Sequence, residues 1–186
     1  EVVAMEWPSG RVLWTLPNNR GHDVQILSDG HVLYTTGSWG RVVEVDTEQN
    51  EVWSYGPTEG LEHAMSAQRL ANGNTLIGDP VIGRVFEVTP EREVTWEYRN
   101  SELANMQMRN SRRTYQGTTL ISVERLNKFI EVNKKGKIIW TYHVEGGDQR
   151  FPYQAHRLPD GNTLMSHAAP GEIVEVTPEG NVVRSI

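Results

Sequence analysis

LPDGNTL, residues 158–164, occurs three more times in degraded form: LSDGHVL at 27–33, LANGNTL at 70–76 and TYQGTTL at 114–120. The shared glycines are Gly30, Gly73, Gly117 and Gly161, spaced 43, 44 and 44 residues apart. Each copy reads as an apolar strand, a tight turn with a glycine where φ can go positive, and a second strand. A fixed period of this length signals a repeat architecture. Ten residues after each glycine begin GRVVEVD (40–46), GRVFEVT (83–89), NKFIEVN (127–133) and GEIVEVT (171–177), which alternate as strands do. A polar turn and a last strand follow: EVWSY, EVTWEY, KIIWTY and NVVRSI. Trp53, Trp96 and Trp140 stand 23 residues after the glycine, and Arg184 takes that place in the fourth copy. Four short strands per repeat of 40–50 residues are the blade of a β-propeller.

The fold class is therefore all-β. Residues 1–186 read as a single propeller domain, with blades at 22–56, 63–99, 106–143 and 153–186. Residues 1–19 are a two-stranded half blade. An ungapped alignment sets Glu1–Met5 against Gly40–Glu44 and places Trp14 at the tryptophan position. The total is 18 strands, or four and a half blades. Three completions are open: a longer parent propeller, homo-oligomers joined through open blade edges, or imperfect closure on the half blade. No helix is required, though residues 101–108, SELANMQM, can form one helical turn or an irregular loop.

Composition excludes several classes. The 186 residues contain no cysteine, which removes disulfides, thiolate metal sites and cysteine nucleophiles. A net charge of -6 argues against nucleic acid as a partner. No apolar run approaches the roughly 18 residues that span a membrane. No signal peptide is visible, and a first residue other than methionine is compatible with a leader having been removed. The compartment stays open, periplasm and extracellular space included.

The two rims of the propeller differ. One carries the short hairpin turns, including the basic KKGK at 134–137, which reads as a solvated turn. The other collects the unlike loops between blades and between second and third strands, where binding and catalysis usually sit. His22, His63, His143, His156 and His167 lie on that rim or in the inner strand below it, and His31 lies beside a turn. Arg20, Arg99, Arg109, Arg150, Asp79, Glu124, Trp39 and Tyr153 share the rim. Five residues before each glycine stand Gln25, Gln68, Arg112 and His156. Seven before stand Asp23, Ser66, Asn110 and Gln154. Strand alternation puts both sets on one face. They either line a wet central channel or hydrogen-bond across neighbouring blades.

The pattern HDVQxLxDGxxL (22–33), then GRVVEVD, then VWSY resembles the blades of arylsulfotransferase-like and PQQ-like quinoprotein propellers over nearly the whole chain. The first resemblance implies a channel histidine that carries sulfate transiently, and His22 and His156 are the candidate catalytic residues. Arg109 or Arg157 would stabilise oxyanion charge. The calcium–carboxylate and tryptophan-floor pattern of the quinone cofactor is not evident, so no cofactor is expected. The histidines lack HxH or HxxxH spacing, so no metal site is expected either. Three functions follow. One is a module binding a small anionic ligand or partner through His63, Arg109, Arg157 and His167 beside His22 and His156. The second is an enzyme acting on an aryl sulfate. The third is a structural fragment, natural or engineered, without activity; EVTPE at both 87–91 and 175–179 suits recent duplication.

Overall fold

The computed structural model describes residues 1–16, 21–37, 40–105, 107–145, 150–169 and 171–186. Among these are 18 strands, in four antiparallel four-stranded sheets and one two-stranded sheet. The half blade is β1 (Val2–Met5) and β2 (Val12–Leu16). Blade one is β3 (Val24–Ile26), β4 (Val32–Thr35), β5 (Val42–Val45) and β6 (Glu51–Tyr55). Blade two is β7 (Ser66–Arg69), β8 (Thr75–Asp79), β9 (Arg84–Val88) and β10 (Val94–Arg99). Blade three is β11 (Met108–Arg113), β12 (Thr119–Val123), β13 (Lys128–Val132) and β14 (Ile138–His143). Blade four is β15 (Pro152–Arg157), β16 (Thr163–His167), β17 (Glu172–Val176) and β18 (Val182–Ser185). Each sheet is a simple meander, as the repeat predicts.

Middle strands are buried on both faces, polar positions included, because a neighbouring blade covers each face. β5, β8 and β12 are buried at every position. The cores accordingly sit between blades. Leu33, Val42, Tyr55, Ile77 and Phe86 join blades one and two. Leu76, Val85, Met108, Ile121 and Ile130 join two and three, and Leu120, Phe129, Ala155, Met165 and Val174 join three and four. The half blade packs Leu16, Val2 and Trp14 on Val32, Val43 and Val45 of blade one. β18 is exposed throughout.

The hairpin glycines take the left-handed backbone expected of them, with Gly73 at φ 87° and Gly161 at 92°. The third-to-fourth-strand pairing is bulged beside the glutamate of each blade, which seats Trp53 opposite Glu44 and Trp140 opposite Glu131. The half blade corrects the ungapped alignment by one residue. Ala4 faces Trp14, and Met5 faces Val12, so Ala4 rather than Met5 matches Glu44. The turn at residues 6–11 holds one residue more than its counterpart in blade one, and the alignment did not allow for it. The described residues of 101–108 include a tight turn, Ser101–Leu103, in which the Glu102 N–H donates to the Asn100 side-chain oxygen. Two similar turns, Pro57–Glu59 and Glu124–Leu126, were not foreseen.

Candidate functional site

Before a polar residue can be assigned to a site, the links between blades must be subtracted. Arg69, Arg113 and Arg157 stand four residues before their glycines, and each reaches back to the glutamate of the preceding blade. The pairs are Arg69–Glu44, Arg113–Glu87 at 2.7 Å and Arg157–Glu131. Each guanidinium also donates to its own turn carbonyl, at Gly73, Gly117 or Gly161. Each lies near the ring of the preceding blade's tryptophan, 4.6–5.2 Å from the Trp53, Trp96 and Trp140 centroids. Those tryptophans donate their indole N–H forward, to the carbonyls of Pro90, Lys134 and Pro178 at 2.8–2.9 Å. Arg157 is thus held as its two counterparts are, and its side chain is only 7% exposed.

His31 belongs to the same framework. Its Nδ1 lies 2.8 Å from Glu44, where Asn74 and Asn162 meet Glu87 and Glu175 in other blades. That hydrogen bond raises the His31 pKa. Asp29, His31 and Glu44 place three possible ligand atoms within 4.8 Å. Glu44 already accepts from His31 and Arg69, so scaffold bonds account for the group. Asp79 is likewise structural, accepting the Glu62 and Val81 amides at 2.9 and 3.0 Å.

What remains lies along the axis. The first strands of the four blades line a cavity of about 570 Å³ that includes His22, Asp23, Gln68, Arg112, Gln154 and His156. Part of the polar ring is stitching. The Gln25 amide oxygen accepts from Arg69 N–H, and that of Gln68 from Arg113 N–H, both at 2.7 Å. Ser66 bonds Ser111 in the same way. Arg112 breaks the series. It turns into the channel and donates to Asp23 at 2.6 Å, linking blade three to blade one across blade two. Asp23 is held from its other side by the Ala67 N–H at 2.9 Å. His156 is exposed to the channel, yet the surrounding walls lower its pKa, helped by the Arg112 charge and opposed by Asp23.

At the loop end of the channel a second group converges. The rings of His22 and His63 are 6.0 Å apart. Burial lowers both pKa values, and the Arg109 charge adds to the effect on His22. Arg109 pairs with Glu124 and lies 5.6 Å from the Tyr153 ring centroid. His63 Nε2 is buried without a hydrogen-bond partner among the described residues.

The structure therefore brings His22, His156 and Arg157 to the cavity wall, the last with its guanidinium committed to Glu131, and sets His63 and Arg109 beside the loop end. His167 lies elsewhere. Its side chain is 3% exposed, 6.0 Å from Phe129 by ring centroids and 3.6 Å from Glu172, which pairs with Arg150. Burial lowers its pKa, against the pull of Glu172. His143 is exposed at the end of β14, and Arg99 pairs with Glu97 on the surface. Arg20 and Trp39 fall outside the described residues. Asp23, Arg112 and Gln154 were visible in the sequence only as members of a ring. The change from Gln to Arg to His at one repeat position was the signal for two of the channel groups.

None of the curated proteins matches this sequence. Solved structures do. A protein of unknown function from Bacteroides caccae superposes with a TM-score of 0.80 at 17% identity, over 99% of this chain and 68% of that one. Virginiamycin B lyase from Staphylococcus aureus gives 0.72 at 13% identity, over 98% and 61%. The WD40 β-propeller domain of Doa1 gives 0.65 at 15% identity, over 86% and 51%. At these identities the likeness is one of fold, and the chain spans about half to two thirds of the length of these structures. The model of the PQQ_2 family, described as outer membrane protein assembly factor BamB, matches residues 1–185, and the chain belongs to that family of PQQ-like β-propeller repeats.

Proposed function

We propose that the chain is a propeller binding module that takes a small anion-bearing ligand in its axial cavity. Arg112, His156 and Gln154 make the contacts, while His22, His63 and Arg109 serve the loop end. The observation that carries this reading is the departure of Arg112 from the inter-blade hydrogen-bonding pattern of Gln25 and Gln68. Those two glutamines only repeat a backbone link between neighbouring blades, whereas Arg112, although it ties blade three to Asp23 of blade one, brings a positive charge to the cavity wall. Because Asp23 occupies Arg112, an incoming anion shares or displaces that carboxylate. A neutral His156 then takes up a proton as the anion enters. Binding of inorganic sulfate, followed by calorimetry, tightens as pH falls below about 6.5, the ordinary histidine value. Asp23→Asn, which removes the competing charge but keeps an acceptor for Ala67, strengthens binding. His156→Ala and Arg112→Gln weaken it. Sulfate affinity unmoved by all three substitutions would refute the reading.

A second reading, sulfate transfer from an aryl donor, is favoured by the neutral His22 beside His63 and Arg109. In it a His22 ring nitrogen attacks sulfur, the S–O bond to the ring breaks and phenolate leaves. An acceptor hydroxyl then takes the sulfuryl group and frees the histidine. Release of phenol that His22→Ala abolishes supports this version. Sulfate binding without turnover leaves the binding module alone.

A further inference from the structure

A second cavity, of about 510 Å³, lies on the opposite rim, in the groove where blade two meets blade three. Leu70, Ala71 and Trp96 give it an apolar wall, and Asn74, Glu87 and Lys134 give it polar groups. The residues at the equivalent repeat positions of the other blades can be compared with these. Where Ala71 stands here, the blades on either side have Ser28 and Tyr115. Where Lys134 stands, the blades on either side of it have Pro90 and Pro178. The repeat thus places its smallest side chain on one wall of this groove and a long cation on the other.

The charges do not cancel. Glu87 pairs with Arg113 and accepts from Asn72 and Asn74 at 3.1 and 2.7 Å. Lys134 is exposed, its stem running past Gly117, and it has no carboxylate partner among the described residues. Nor does the scaffold need its side chain. The link to blade two uses the Lys134 backbone carbonyl, and Pro90 and Pro178 supply that carbonyl equally well. One uncompensated positive charge beside an apolar wall matches a monoanion with an apolar body. A dianion would meet Glu87 with charge to spare.

We propose that this groove binds small monocarboxylates, their apolar part on Leu70, Ala71 and Trp96 and their carboxylate at Lys134. The test is calorimetric titration of the whole chain with phenylacetate, phenylacetamide, acetate and phenyl phosphate. Phenylacetate binds saturably, and phenylacetamide and acetate each bind at least about tenfold more weakly. Lys134→Pro, which copies the other two turns and preserves the fold, loses about tenfold in phenylacetate affinity, as does Lys134→Gln. Lys134→Arg retains binding. Four results overturn the proposal: no saturation by phenylacetate, unchanged affinity in both Lys134→Pro and Lys134→Gln, tighter binding of phenyl phosphate, or loss of binding in His156→Ala. The last would move the ligand to the axial cavity.

Discussion

Arg157→Met tests whether blades are locked by buried ion pairs. Arg157 and Glu131 are 7% and 5% exposed, so removing the arginine strands a carboxylate that water cannot reach. Breaking a buried pair from one side costs about 3–5 kcal/mol. The Thr118 hydroxyl still reaches Glu131, which puts the expected loss near 3 kcal/mol. A domain of this kind holds about 5–15 kcal/mol in all. With a urea slope of about 1–3 kcal/mol per molar, the unfolding midpoint falls by about 1–3 M. The assay is urea unfolding followed by tryptophan fluorescence, because Trp140 lies 5.0 Å from the guanidinium. Arg157→Met combined with Glu131→Met should recover most of the loss, since apolar replacement of a whole buried pair is often neutral. Thr118 does not then become an orphan, as its hydroxyl also meets Thr114 at 2.6 Å. A loss under about 1 kcal/mol at unchanged slope, or a double variant weaker than the single one, refutes the lock.

Three further outcomes follow from the geometry. Trp140→Phe removes the indole N–H that reaches the Pro178 carbonyl at 2.8 Å, and costs about 1 kcal/mol beyond the lost ring area. Gly83→Ala and Gly73→Ala both place a side chain at positive φ, costing about 1–2 kcal/mol each. Only at Gly83 does the new Cβ also come within 2.5 Å of the Asn100 carbonyl oxygen, so thermal melting ranks Gly83→Ala well below Gly73→Ala. Acid sensitivity comes from His22, His63, His156 and His167, whose folded pKa values are lowered mainly by burial. The unfolded chain binds more protons than the folded one, so stability declines as pH falls through about 6.5. His31 is raised and contributes the opposite way: its share is full below that pH and lost as pH rises through its folded value. Urea midpoints taken from neutral to acid pH should therefore fall, and His167→Leu should shallow the slope; a rising midpoint contradicts the assignment.

The blades were legible because one turn glycine and one alternating strand recur at a constant period. The same repeat also carried the inter-blade code. Arginine four before the glycine and glutamate fourteen after it are both visible, at Arg69, Arg113 and Arg157 and at Glu44, Glu87 and Glu131. Parity turns the Arg157 side chain toward Glu131 and Trp140 although the residue borders the axial cavity, since positions four and five before the glycine point to opposite faces of a strand. The Asp23–Arg112 contact could not be read from the chain. It spans 89 residues and depends on how three blades curve about an axis. His167 sits at the same repeat position as Asp79 and Val123, and only its packing against Phe129 and Glu172 sets it apart.

The tryptophan and glutamate links between blades run one way along the chain. A blade offers its tryptophan N–H and its glutamate forward, and the next one answers with a turn carbonyl and an arginine. Blades two and three are therefore each a plug on one side and a socket on the other, and a copy of either fits behind the other. A gene segment duplicated in tandem would fold into a wider ring without a new contact having to be invented, which makes blade number cheap to change over evolutionary time. The ends of the chain depart from the rule: the half blade has Ala4 in place of the glutamate, blade one has Ile26 in place of the arginine, and blade four lacks the tryptophan. Its tryptophan position is Arg184, which turns back 2.7 Å onto its own Glu175, so a copy of that blade would present no free glutamate to a successor.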